Sequence, residues 1–167
     1  MLKQQLQKEL TDSLKSGDQL KRLVLGALLT AIKNRELNKR SQLSKTVFDK
    51  AELEEKSKLD DGEILEVVAG EVKKRKDSTE QFRGGGRKDL ADKEESEMKI
   101  LMAYLPEQMS EEEIRKEIQT AISEIGAKTA KEMGKVIGAV MPKVKGRADG
   151  GTVSRIAKEL LSKSGIF

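Results

Sequence analysis

The chain has 167 residues, of which 37% are charged and 2% are aromatic, so it can bury only a modest core and is typical of solvent-facing helices. Cysteine and histidine are both absent. Their absence excludes disulfides and serine–histidine or cysteine–histidine catalysis, and it leaves only carboxylates as strong metal ligands. We therefore predict no metal and no cofactor.

The longest apolar run is "LVLGALLTAI", residues 23–32. A bilayer-spanning helix needs about 20 apolar residues, so this run is too short to cross a membrane. It does not follow a short basic segment with a cleavage site, so no signal peptide is predicted. Together with the lack of cysteine, these features predict a cytoplasmic protein without membrane contact.

The first half of the chain carries helical apolar spacing. Leucines at 2, 6, 10 and 14 predict a first helix that ends at Gly17, and Asp18 is suited to cap a second helix reaching Arg40. Residues 41–60 are polar and predict a loop with a short helix. A third helix opens at Asp60 or Asp61 and breaks at the glycines 84–86, and a fourth runs over 89–105.

The second half begins with "SEEE" at 110–113, a capping box for a helix that ends at Gly126. "TAKE" at 129–132 has the same form, and Asp149 is suited to cap the last helix. No segment alternates as a strand does. We predict an all-α protein, with an N-terminal helical hairpin-type domain over 1–107 and a C-terminal three-helix domain over 108–167.

Charge is unevenly distributed along the chain. The net charge is +4, yet residues 126–167 hold nine Lys/Arg and three Asp/Glu, a net +6 for that segment alone. Such asymmetry is typical of a surface that meets a polyanion. A lysine-rich turn that merely keeps a small domain soluble has the same composition, and spacing alone favours this second interpretation.

Candidate phosphate-binding residues concentrate around "VMPKVKGRADGG", residues 140–151. Glycines there expose backbone N–H groups, and the last helix begins beside the turn, where a helix N-terminus attracts anions. The scarcity of aromatic residues argues against base stacking on single strands. The candidate RNA-binding residues are Lys135, Lys143, Lys145, Gly146, Arg147, Arg155 and Lys158.

Two further motifs are better explained by structure than by chemistry. The basic stretch over 72–90 is interleaved with acids and predicts a salt-bridged helix face, and its "GGGR" lacks the strand and "GK[ST]" of a nucleotide-binding loop. Acidic clusters lie at helix starts, where they stabilise the helix dipole. No catalytic residue is assigned.

Three segments spread over most of the chain form a specific combination: "LVLGALLTAIKNRE", "EVKKRKDSTEQFRGGGRKDLADKEESEMKILMAYLPEQMS" and "MGKVIGAVMPKVKGRADGGTVSRIAKELL". Together they resemble the GatB/YqeY-domain family of small bacterial proteins. The resemblance implies an N-terminal helical domain and a C-terminal domain similar to the tail of the B subunit of the glutamine-dependent aspartyl/glutamyl-tRNA amidotransferase, a tail that helps hold tRNA. The matching residues of this chain are Gly138, Met141, Lys145, Gly146 and Ala148.

Three functions remain open from the sequence. The leading one is a non-catalytic accessory protein that binds tRNA or another structured RNA through its C-terminal domain. A second is a protein-interaction module that docks a partner on the N-terminal helices. The third is a component of a glutamine-dependent amidotransferase, because the resemblance carries the label of carbon–nitrogen ligase activity with glutamine as amido-nitrogen donor. The chain lacks that enzyme's catalytic domains, so it is not expected to catalyse the reaction by itself.

Overall fold

A computed structural model describes residues 1–127 and 129–164 of the protein, and within that part it contains α-helices, one 3₁₀ turn and no strand. The predicted all-α fold is confirmed. The chain divides into two compact units, Met1–Tyr104 and the residues from Leu105 onward. The helices are α1 Leu2–Ser16, α2 Gln19–Leu43, α3 Lys50–Ser57, α4 Asp61–Gly84, α5 Lys88–Met102, α6 Glu111–Ile125, α7 Met133–Val144 and α8 Gly150–Ser164, with the 3₁₀ turn at Ala130–Glu132.

In the N-terminal unit, several of the residues that end and begin helices are those that the sequence singles out. Gly17 ends α1 in the left-handed conformation, with φ 75°, and the Asp18 side chain accepts a hydrogen bond from the Lys21 amide at the start of α2. Asp60 and Glu63 form a reciprocal capping box before α4. The helices therefore start and stop for local reasons, before any tertiary contact is considered.

Apolar residues of the long helices, together with one leucine from the connection before α4, supply the core of the N-terminal unit. Its members are Leu6, Val24, Leu25, Leu28, Ile32, Leu59, Ile64, Val68, Ala91 and Leu101. The stripe predicted for α1 is only partly used, because Leu14 is 54% exposed and Ser13 is buried beside it. The Ser13 hydroxyl donates to the Leu10 carbonyl, which satisfies the buried polar group within the helix.

A largely buried arginine between two carboxylates joins α4 to α5. The Arg75 guanidinium lies 3.0 Å from the Glu71 carboxylate and 3.2 Å from that of Glu97, which is buried. Burial by itself raises the pKa of Glu71, but hydrogen bonds from Lys74 and Arg75 lower it below its ordinary value. The buried charge of Glu97 is thus paired with a cation.

The C-terminal unit packs α6, α7 and α8 around a core of isoleucines, valines and alanines. The core consists of Ile114, Ile118, Ala121, Ala127, Val136, Val140, Val144, Val153, Ile156, Ala157 and Leu161. Glu111 pairs with Arg155 and Arg115 pairs with Glu159. Because both partners advance by four residues, α6 and α8 lie side by side and run in the same direction.

Some element boundaries differ from the prediction. Helix α2 reaches Leu43 rather than Arg40, and α5 ends at Met102 rather than at residue 105. A residue before proline avoids helical geometry, which explains why the helix stops before Leu105 and Pro106. The predicted capping box at 129–132 closes only a 3₁₀ turn, and α7 begins after it at Met133.

The buried ion pair generates a stability prediction. Replacing Arg75 by methionine leaves the Glu97 carboxylate buried without its cation, and we expect the free energy of unfolding of the N-terminal unit to fall by about 3–5 kcal/mol. Urea unfolding can be followed by the fluorescence of Tyr104, because it is the single tyrosine and the chain has no tryptophan.

The matched control is Arg83→Met, which breaks the exposed pair with Glu95 and should cost less than about 1 kcal/mol. The double variant Arg75→Met/Glu97→Met should recover most of the loss. Equal losses for Arg75→Met and Arg83→Met would contradict the proposed role of burial.

A second polar cluster holds α1, α2 and the turn after α5 together. The Tyr104 hydroxyl donates to the Glu9 carboxylate at 2.6 Å, and the Lys21 ammonium lies 2.7 Å from the same oxygen. Hydrogen bonds from Lys21, Tyr104 and Gln5 lower the pKa of Glu9 to about 2. Burial and the Glu9 carboxylate raise the pKa of Tyr104, which keeps its proton.

Because of this cluster, the folding stability of the protein depends on pH in acidic solution. The pKa of Glu9 is depressed on folding, so its contribution is complete above the unfolded value of about 4.5 and is lost as the pH falls towards 2. We expect Glu9→Gln to destabilise the protein by about 1–2 kcal/mol at pH 7 and by progressively less below pH 4.5. Thermal unfolding by circular dichroism from pH 7 to pH 2.5 measures both curves, and a gap that stays constant across this range would contradict the assignment.

Candidate nucleic-acid interface

The outward side of α7 carries a lysine-bordered strip of bare backbone. Val136, Val140 and Val144 turn one side of the helix into the core. On the other side, Gly134 and Gly138 are exposed one turn apart, with exposed lysines around them. These lysines are Lys131 in the 3₁₀ turn, Lys135 in the first turn of α7 and Lys145 at its C-cap. We call this set the α7 face.

The two glycines leave this face open to a partner. A Cβ atom added at Gly134 or Gly138 would meet no other atom within 4 Å, so the core does not require glycine at either position. Glycine in a helix interior costs about 1 kcal/mol relative to alanine. At both positions glycine leaves the helix backbone uncovered, so that a phosphate chain or another helix could approach it closely.

The turn after α7 is held rigidly to the segment that precedes α6. Gly146 adopts φ 73°, the Met109 amide donates to the Arg147 carbonyl at 2.8 Å, and the Gln108 side chain donates to the Gly146 carbonyl at 2.8 Å. The Arg147 guanidinium donates to the Glu107 carbonyl at 3.2 Å. Gly146 and Arg147 therefore have a structural task in this turn.

Arg155 is engaged by carboxylates along the seam between α6 and α8. It contacts Glu111 and lies 3.0 Å from Glu159, which also accepts a hydrogen bond from Arg115 at 3.0 Å. The hydrogen bond from Arg115 is the leading reason why the pKa of Glu159 lies below its ordinary value. Two carboxylates beside one guanidinium cancel the local charge that phosphate binding would need.

The remaining candidates are less constrained. The Lys143 ammonium lies 3.8 Å from the Glu124 carboxylate across an exposed surface, where such pairs contribute little. Lys135 and Lys158 are exposed and form no ion pair with another residue of the described part of the chain. Lys131, which the sequence analysis did not select, has the same environment. Its i, i+4 spacing to Lys135 was the signal that could have revealed it.

The structure also bears on whether the protein could cross a membrane or hold a metal ion. Within the described ranges, no helix is long and apolar enough to cross a membrane. Over the same residues, no group of three or more acidic side chains is placed to hold a metal ion.

The fold and the α7 face define a class of protein: two small helical units, the second of which presents lysines around exposed helix backbone. Residues 3–161 match the family described as Yqey-like protein. The chain belongs to this family. The resemblance seen in the sequence motifs is thereby confirmed over nearly the whole chain.

Several fungal proteins are similar to this chain. An uncharacterized protein of Schizosaccharomyces pombe is 37% identical over 94 residues, which cover 54% of this chain and 76% of that protein. The protein named "Altered inheritance of mitochondria protein 41, mitochondrial" is 28% identical over 122 residues in Lachancea thermotolerans and 32% over 106 residues in Pyrenophora tritici-repentis. These matches cover 72% and 60% of this chain, and 57% of each of those proteins.

RNA binding, a relation to amidotransferase chemistry and a cytoplasmic location stay predictions for this chain. The name of the Lachancea thermotolerans relative assigns that protein to mitochondria. The chain spans little more than half the length of those mitochondrial relatives. Their activities therefore do not transfer to this chain as findings.

Alanine is expected to have opposite effects on stability in the turn after α7 and on the exposed side of α7. Gly146→Ala forces a side chain into the left-handed region, and we expect it to destabilise the C-terminal unit by about 1–2 kcal/mol. Gly138→Ala adds a methyl group in open space within a helix and should stabilise that unit by about 1 kcal/mol. Hydrogen exchange at the Val140 amide measures both changes, and destabilisation by Gly138→Ala would show that the strip is packed rather than open.

Proposed function

We propose that the protein is a non-catalytic accessory protein that binds structured RNA, of which tRNA is the first candidate, through the α7 face. The observation that carries the proposal is the placement of Lys131, Lys135 and Lys145 around the exposed backbone of Gly134 and Gly138. Ammonium groups contact phosphates as point charges, and the bare strip lets the RNA backbone approach the helix.

The proposal rests on shape and charge rather than on base recognition. Contacts between lysines and phosphates fix the position of an RNA without reading its sequence, and folded RNA is recognised largely by its backbone and shape. The +6 charge of residues 126–167 adds long-range attraction that is screened by salt. Lys131 and Lys135 supply this attraction more effectively than Arg155, whose charge is already balanced by Glu111 and Glu159.

A charge-reversal experiment tests this function. In Lys131→Glu/Lys135→Glu/Lys145→Glu, we expect affinity for unmodified tRNA to fall by at least about tenfold at low salt, because repulsion replaces the attraction between ammonium groups and phosphates. The slope of log affinity against log salt should become shallower by about 0.7–0.9 for each phosphate that the variant no longer neutralises. Fluorescence anisotropy over a salt series measures both quantities.

Arg155→Gln is the matched control, because it removes a basic residue of the same unit that is already neutralised, and it should change the affinity less than about threefold. Wild-type protein that fails to bind tRNA even at low salt, or a triple variant that binds like wild type, would overturn the proposal.

A protein-docking function is the second candidate, and exposed leucines on α2 favour it. Leu23 is 57% exposed and Leu37 is 52% exposed. They lie two heptads apart with Thr30 midway, which places all three on one side of the helix, and helix-in-groove partners read anchors at such spacing.

The double variant Leu23→Glu/Leu37→Glu tests this docking. We expect it to lose a partner that co-purifies with the wild-type protein after nuclease treatment, while tRNA affinity stays unchanged. Affinity purification with quantitative mass spectrometry, with the Lys131→Glu/Lys135→Glu/Lys145→Glu variant as control, is the measurement. A partner retained by the leucine variant but absent from the lysine variant would exclude docking on α2.

A further inference from the structure

One aromatic side chain stands almost fully in solvent. Phe48 is 89% exposed, whereas Tyr104, in the turn after α5, is half-buried and bonded to Glu9. Phe48 lies in the connection between α2 and α3. A phenylalanine in this setting exposes a large apolar ring to water and gains nothing from the core. Packing within the protein therefore does not explain why a phenylalanine stands at this position.

The connection that carries Phe48 is held at both of its ends by backbone hydrogen bonds. The amides of Ser44, Thr46 and Val47 donate to carbonyls of the last turn of α2 at 2.8–3.0 Å. On the other side, the Asp49 carboxylate accepts from the Glu52 amide at 2.8 Å and caps α3. Phe48 is thus presented from a short, braced loop, so a partner that binds the ring orders little additional backbone.

Lysines flank the ring on both sides along the chain. Lys45 and Lys50 are exposed within three residues of Phe48, and Arg40 is exposed in the last turn of α2. Asp49 also carries a charge there, and its carboxylate accepts a backbone hydrogen bond as the cap of α3. An aromatic ring bordered by lysines offers a stacking surface together with charge for a flanking phosphate.

The size of the apolar surface favours a nucleotide base over a membrane or a protein. Within the loop only Phe48 is strongly exposed among the apolar residues, since Leu43 and Val47 are half-buried. A stable protein interface buries roughly 800 Å² on each partner, and stable membrane attachment needs more apolar area than one ring. Stacking on a base requires only a single accessible ring.

We infer that Phe48 stacks on an unpaired base of the RNA, with Lys45 and Lys50 beside the adjoining phosphates. The inference rests on the proposed RNA-binding function and deepens it. It assigns a base contact to the N-terminal unit, and it narrows the ligand class to folded RNA that displays at least one unpaired nucleotide, such as a hairpin loop. The α7 face alone predicts no preference between a hairpin and a duplex.

The absence of tryptophan makes a direct spectroscopic test available. Phe48→Trp introduces a single tryptophan, and we expect its emission to be quenched when an RNA hairpin with an unpaired loop is added. A fully paired RNA duplex of the same length should leave the emission nearly unchanged. Unchanged emission with the hairpin, at concentrations where anisotropy shows saturated binding, would overturn the inference.

Affinities of two further variants test the chemistry of the contact. Phe48→Ala should weaken hairpin binding by roughly 5- to 100-fold and leave duplex binding within about twofold. Phe48→Leu, which keeps an apolar side chain without an aromatic face, should lose nearly as much as Phe48→Ala. Full retention of hairpin binding by Phe48→Leu would show an apolar anchor instead of stacking and would overturn the inference.

The same variants separate this inference from the proposed function. If Lys131→Glu/Lys135→Glu/Lys145→Glu loses hairpin and duplex alike while Phe48→Ala binds as wild type, the function stands and the stacking contact is wrong. If the wild-type protein binds neither RNA, both fail. A blue shift of the Phe48→Trp emission with anionic phosphatidylserine vesicles, without quenching by the hairpin, would assign the loop to membranes and refute stacking.

Discussion

The long helices of this protein each bury a narrow apolar stripe, and the residues outside these stripes form the surface. In α7 the core takes Val136, Val140 and Val144, so Gly134 and Gly138 must lie in solvent. In α2 the core takes four residues between Val24 and Ile32, and Leu23 and Leu37 remain exposed. The chain is 37% charged, and its small amount of apolar material is used up in these stripes, so the residues outside them stay exposed.

Many basic residues of this protein are already paired with carboxylates. Arg75, Arg115 and Arg155 each pair with carboxylates and join neighbouring helices, as Lys21 does between α1 and α2. The planar guanidinium is well suited to this task, because it matches a carboxylate with two hydrogen bonds. Lys131 is exposed on the α7 face. Pairing explains why basic composition alone overstates the area available to a polyanion.

The two units also offer different chemistry to the same kind of ligand. The C-terminal unit presents charge and bare backbone, which suits phosphates in any sequence. The N-terminal unit presents Phe48 from a braced loop, which suits an unpaired base. The composition, with 2% aromatic residues, argued against stacking, but one well-placed ring is sufficient for one base. A combination of the two contacts would distinguish folded RNA with loops from a uniform duplex.

The sequence by itself determined the helices, because their ends are encoded locally: Gly17 and Gly126 stop helices in the left-handed conformation, and Ser110 with Glu113 forms the predicted capping box. It also determined the family, through motifs that span nearly the whole chain. Only the tertiary structure decided which candidate residues are available. Arg155 and Lys135 look alike in the sequence, yet helix packing brings Glu111 against the first and forms no ion pair with the second in the described part of the chain. Pairing of this kind joins residues 44 positions apart, and helical periodicity carries no information about such distant contacts.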